Sequence, residues 1–196
     1  IWLDVSRRRL AQGRTVHYRP GRSLSDRVDA QNCILDWTSL PVGVVTLAEK
    51  FGSGVVRSEM FEDMVAHVMS LLGPFEARAG VRDMLAHSKV HLLGTSGTVT
   101  TIAGVHLGLP RYDRNRVDGC WLDTSDVRFV TNRLVAATHE ERIAEPCIGR
   151  ERADLVLAGC AILEAMLRLW PCERLRVADR GLREGILATL MADDLQ

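Results

Sequence analysis

Residues Val90 to Gly104 constrain this chain more than any other stretch. A short apolar run ends at Gly94, the small residues Thr95, Ser96 and Gly97 follow, and from Thr98 apolar side chains recur at helical spacing. That pattern predicts a strand, a tight turn and a helix, the repeating unit of α/β folds. Glycines at 94 and 97 permit positive φ and let a ligand approach the backbone, while the first amides of the helix point outward unpaired. A corner of this kind suits an anion, above all a phosphate. Gly94, Thr95, Ser96, Gly97 and Thr98 are therefore the candidate phosphate-binding residues. A second reading competes on equal terms: a plain strand-to-helix turn capped by Thr95 or Ser96.

With 196 residues the chain is long enough for one sizeable core, and it reads as a single domain over residues 1–196. Twenty-five basic residues balance twenty-five acidic ones, so net charge points to neither nucleic acid nor a membrane surface. Any anion site must be local. Five scattered cysteines without a Cys-x-x-Cys pair fit free thiols rather than a disulfide framework or a zinc cage, and no metal site is signalled. No apolar run approaches the ~20 residues that span a bilayer, and the expected location is the cytoplasm.

The order of elements follows from periodicity. Residues 1–5 and 14–18 read as strands around a polar turn from Arg7 to Gly13, and Cys33 to Leu40 reads as a third strand closed by Pro41. Val44 to Phe51 is a short helix. Met60, Phe61, Met64, Val65, Val68, Met69 and Leu72 form an amphipathic stripe, and Phe75 to His87 is predicted as a further helix interrupted near Gly80. Lys89 to Leu93 is the fourth strand and Thr98 to Leu107 the helix behind it. Pro110 to Gly119 reads as a solvated loop, with a polyanion groove as the minority reading. Thr124 or Ser125 is expected to cap a helix through Ala137, and Arg150 to Trp170 reads as one long helix ended by Pro171. Arg174 to Ala178 is the fifth strand, Asp179 to Gly181 a turn, and Leu182 to Met191 the closing helix. This predicts an α/β fold, a mixed five-stranded sheet with three N-terminal strands and helices on both faces. The order is similar to that of the ribonuclease H-like lobe of actin-like ATPases.

Four stretches carry a closer resemblance: Ser39 to Phe51, the Gly94 to Thr98 turn with its flanks, Arg152 to Gly159 leading into Ala161 to Glu164, and Val177 to Gly185. Together and in this order they resemble the Ppx/GppA family, exopolyphosphatases and guanosine pentaphosphate phosphohydrolases built on two actin-like lobes. The chain resembles the second lobe, beginning just after that lobe's acidic, glycine-rich phosphate loop. The resemblance implies a hydrolase that releases terminal phosphate from inorganic polyphosphate or guanosine pentaphosphate, with Mg²⁺ held mostly by groups outside this chain. It also implies a partner lobe upstream that carries the glutamate activating the attacking water. No residue here takes that catalytic role, and the chain alone is expected to be inactive. Two alternatives remain: a regulatory lobe that binds a phosphorylated nucleotide without cleaving it, and a lobe of an actin-like sugar or acetate kinase. A homodimer covering apolar surface is a further expectation.

Secondary candidates sit near the remaining motifs. Arg152 and Asp154, two residues apart, face different sides of a helix start, where a local salt bridge or cap is preferred over substrate contact. Arg180 and Arg183 flank Gly181 and can reach a phosphate from the strand-to-helix turn, with a solvated or capping role preferred. Trp37 and Trp121 are expected to pack in the core or at its rim rather than to stack on a base.

Overall fold

The computed structural model describes residues 2–6, 34–52, 58–87 and 91–181, together with residues 184, 187 and 191. The expected strand at 14–18, the turn before it, Cys33, Lys89, Arg183 and most of the closing helix lie outside the described residues. Residues 1–40 with 182–196 make one compact unit, and residues 41–181 make another.

In the first unit, β1 (Trp2–Ser6) pairs antiparallel with β2 (Ile34–Ser39), Trp2 opposite Ser39 and Asp4 opposite Trp37. Trp37 is not a core residue but half-exposed at 52 %.

Most of the described helical residues fall in the second unit. It begins with α1 (Val44–Phe51), whose Gly43 N-cap amide is held by the Thr46 hydroxyl at 2.9 Å. The methionine-rich stripe lies on α2 (Ser58–Ala79), where Phe61, Met64, Val65, Val68, Leu72 and Phe75 are buried. One helix replaces the two expected here, because Pro74 is accommodated inside α2. The interruption expected near Gly80 is present, that residue's φ of +60° ending the helix before α3 (Val81–His87).

After β3 (Leu92–Gly94) come α4 (Gly97–His106), the short α5 (Arg114–Val117), β4 (Trp121–Asp123) and α6 (Thr124–Ala136). Next are α7 (His139–Ala144), α8 (Arg150–Ala153), α9 (Val156–Leu169) and β5 (Arg174–Val177). Several expectations change. The run from Arg150 divides into α8 and α9, with Leu155 N bonded back to Arg152 O at 3.0 Å in a tighter turn. Helix α6 takes Asp123 rather than Thr124 or Ser125 as its N-cap residue, without a side-chain cap bond, and the Thr124 hydroxyl donates to the Cys172 carbonyl at 2.6 Å. Helix α7 opens on a capping box, Thr138 with Glu141, a signal present in the sequence and overlooked there.

The expected five-stranded sheet is not what forms among the described residues. The second unit has a three-stranded mixed sheet in the order β3-β5-β4, with β3 parallel and β4 antiparallel to β5. Strand β4 was not expected, since three residues are too few to show an alternating pattern. The faces of this sheet differ. Leu122, Leu175 and Val177 are buried on the side where α4 packs, whereas Leu93, Arg176 and Trp121, in register across the strands, are exposed. The Arg176 guanidinium lies over the Trp121 ring at 5.2 Å and His91 meets the same ring edge-on at 4.8 Å.

Helix α9 is the centre of the unit. Eleven of its residues are buried, and Cys160 is fully enclosed. It is pinned to α2 at its carboxyl end. Arg168 donates two bonds to Glu62, at 2.6 and 2.8 Å, and Trp170 Nε1 donates to Glu76 at 2.5 Å while its ring meets Phe75 edge-on.

Candidate functional site

The glycine turn lies at the carboxyl ends of the parallel pair β3 and β5, the position where open α/β sheets receive ligands. Thr95, Ser96 and Gly97 are exposed there. Ser96 is the N-cap of α4, with extended φ of −85°, and its Oγ accepts from Val99 N at a long 3.4 Å. The two readings of this turn are therefore compatible. The cap engages the amide of Val99, and the exposed start of the ten-residue helix α4 faces outward with its positive dipole end.

The glycines serve purposes other than positive φ, which neither Gly94 nor Gly97 adopts. A Cβ at Gly94 would stand 2.7 and 2.8 Å from the two γ-methyls of Val99, so this glycine lets β3 and α4 approach. A Cβ at Gly97 would meet nothing within 4 Å, leaving the first helical residue open to a ligand. Thr98 differs from its neighbours. Its side chain rests on Gly159 of α9, where an added Cβ would come 2.8 Å from Thr98 Cγ2 and 2.9 Å from its Cβ. Thr98 thus seats the helix rather than facing the open turn.

The second strand exit lies beside the first. Ala178 N donates to Gly94 O at 2.9 Å, so the Asp179 to Gly181 turn and the glycine turn leave adjacent strands together. Around Asp179 the charged stretch expected to be a solvated loop folds into a strap. Tyr112 donates its hydroxyl to Asp179 Oδ2 at 2.8 Å, and Arg114 Nε approaches the same oxygen at 3.1 Å. Arg114 also donates to the Asp179 carbonyl, and Asp179 N donates to Asp118 Oδ1 at 2.9 Å. The strap has its own short helix, α5, with Asp113 Oδ1 accepting from Asn115 N at 3.0 Å. Burial first, and then the hydrogen bond to Asp179, pushes the Tyr112 phenol up to about 12. Tyr112, Arg114 and Asp118 were missed as site residues. Only their charge density was visible in sequence.

The secondary candidates divide. Arg180 stands at this second turn, 70 % exposed in its side chain, with Nε 4.0 Å from Asp118 Oδ2. Arg152 is turned to α4, donating to Thr101 Oγ1 at 3.2 Å, and Asp154 pairs with His139 at 3.5 Å. Neither is the local salt bridge or helix cap expected from sequence; both are contacts to other helices. Arg183 lies outside the described residues.

A cavity of about 290 Å³ opens elsewhere, between α2, α6 and α9, lined among others by Glu62, Arg128, Thr131, Glu164 and Arg168. None of the turn residues lines it. Among the described residues no group of three or more His, Cys, Asp or Glu side chains could hold a metal ion, and none of their helices is long and apolar enough to cross a membrane.

Comparison with known proteins gives this geometry its context. The chain is similar to the solved structure of the Aquifex aeolicus PPX-GPPA enzyme, with a TM-score of 0.67 and 26 % identity over 80 % of this chain and 50 % of that one. An exopolyphosphatase from Cytophaga hutchinsonii shares the fold, with a TM-score of 0.69 and 24 % identity over 83 % of this chain and 52 % of that one. The chain therefore spans about half the length of the structures it matches. No curated protein sequence matches it. A sequence profile of the Ppx/GppA phosphatase family matches residues 29–193, and so, with the glycine turn and the two strand exits in place, the chain belongs to the Ppx/GppA phosphatase family.

Proposed function

We propose that this chain is the phosphate-holding lobe of a phosphohydrolase that releases terminal phosphate from inorganic polyphosphate or guanosine pentaphosphate. The observation that carries the reading is the exposed Thr95-Ser96-Gly97 corner at the carboxyl end of a parallel strand pair, which presents a helix start to an anion. Cleaving a phosphoanhydride needs donors on the equatorial oxygens, an oriented water and charge compensation. The Gly94 to Thr98 turn supplies donors. Water activation belongs to a glutamate on the upstream lobe, and Mg²⁺ is held mostly by groups outside this chain. The chain alone then binds the phosphate end without turning it over.

Phosphate release, read by malachite green with long-chain polyphosphate and with guanosine pentaphosphate in the presence of Mg²⁺, tests this on the chain and on a longer form with the upstream lobe. Release is expected from the longer form only. Steady release by this chain alone refutes the division of labour. Gly97→Asp in the longer form tests the turn itself. The open space at Gly97 accepts the side chain, and a carboxylate in the first turn suits the helix, yet it repels an anion. A loss of at least about tenfold in kcat/KM is expected, and unchanged activity removes the turn from the site.

A further inference from the structure

We propose that Tyr112 is a positioning residue for the anion site, its hydroxyl holding Asp179 so that the Asp179 to Gly181 turn stands beside the glycine turn. The inference rests on the phosphate reading of the Gly94 to Thr98 corner.

Asp179 is gripped at every polar group it has. Its carboxylate takes Tyr112 and Arg114, its carbonyl takes Arg114, and its amide is taken by Asp118, all from the strap between α4 and β4. A carboxylate so engaged is an anchor, not a free base. Arg114 reaches Asp179 from α5, and Tyr112 reaches it from just before α5. Holding Asp179 fixes the second strand exit one residue beyond Ala178, whose amide donates to Gly94 O at the glycine turn. Linked hydrogen bonds of this kind act together rather than singly. The ring below the hydroxyl has a separate role. It lies along α4, where a Cβ at Gly104 would come 4.0 Å from Tyr112 Cδ2.

That separation of ring from hydroxyl makes the proposal testable with Tyr112→Phe, which keeps the packing and removes one oxygen. The probe is tripolyphosphate, titrated calorimetrically into this chain and into Gly97→Asp, Tyr112→Phe, Asp179→Asn and the Tyr112→Phe/Asp179→Asn double variant. Each single change at 112 or 179 is expected to weaken binding about three- to tenfold, as loss of one typical hydrogen bond does, and the double variant is expected to be no weaker than the poorer single one. In ¹⁵N-glycine spectra, tripolyphosphate should shift the Gly94, Gly97 and Gly181 amides of the unaltered chain, and the Gly181 shift should vanish in Tyr112→Phe. A merely structural tyrosine moves the melting temperature without that selective loss. No binding by the unaltered chain, or undiminished binding by Gly97→Asp, overturns the phosphate reading and this inference with it. Binding lost in Gly97→Asp but unchanged in Tyr112→Phe overturns the positioning role alone.

Discussion

Replacing Gly159 by alanine sets two ordinary effects against each other at one atom. In the interior of α9 an alanine gains about 1 kcal/mol over glycine from helix propensity alone. The close approach of α4 opposes this. The new methyl would lie 2.8 Å from Thr98 Cγ2 and 2.9 Å from Thr98 Cβ, and closer still to Oγ1. Rotating Thr98 about χ1 exchanges its γ atoms but leaves Cβ where it is, so α4 and α9 must separate. Overpacking of this kind costs about 1–3 kcal/mol, and the backbone-proximal contact places it at the upper end. The expected net effect is destabilisation by about 2 kcal/mol, the packing cost less the propensity gain. Thr98→Ala removes two of the three clashing atoms but keeps Cβ, so in that background Gly159→Ala should cost clearly less, about 1 kcal/mol. Guanidinium unfolding followed by tryptophan fluorescence gives all four corners of the cycle. Stabilisation by Gly159→Ala in the unaltered chain, or an equal cost in both backgrounds, would refute the account of how α9 seats the glycine turn.

Two further outcomes follow from the packing around α9. The Arg168 hydrogen bond holds the Glu62 carboxyl below its ordinary value of 4.5, so its contribution is full above that pH and is lost as pH falls through the lowered value. Glu62→Gln should flatten the acid limb of the unfolding midpoint against pH while changing stability near neutrality by less than about 1 kcal/mol; an unchanged acid limb would exclude the pair. Arg142, 2 % exposed, donates to Ala137 O at 2.6 Å and to Leu134 O at 3.4 Å and so closes the end of α6. Arg142→Met should cost about 2–3 kcal/mol in thermal unfolding, and a neutral result would deny it that role.

Periodic and chemically marked segments were legible in the sequence, and tertiary choices were not. The stripe from Phe61 to Leu72 announced α2 because its five buried residues share one face of one helix. Its continuation through Pro74 depends on the surroundings of α2, which no local pattern encodes. Strand β4 exists because Trp121 to Asp123 finds β5, and a segment of three residues carries no period to read. The turn at Gly94 was visible as a turn, yet its glycine answers to the bulk of Val99 across the corner rather than to its own φ. Tyr112 shows the limit most clearly. Its partner Asp179 is 67 residues away, and nothing near either residue in the chain marks the pair.

The single bond from Ala178 N to Gly94 O has a mechanical meaning. Neighbouring strands keep a spacing of about 4.8 Å whatever their side chains, so the two mouths of this sheet are set at a pitch the backbone itself fixes. Evolution can widen or narrow the reach of such a cradle by editing what hangs from the two rims, but the gauge between them stays the same from one sequence to the next.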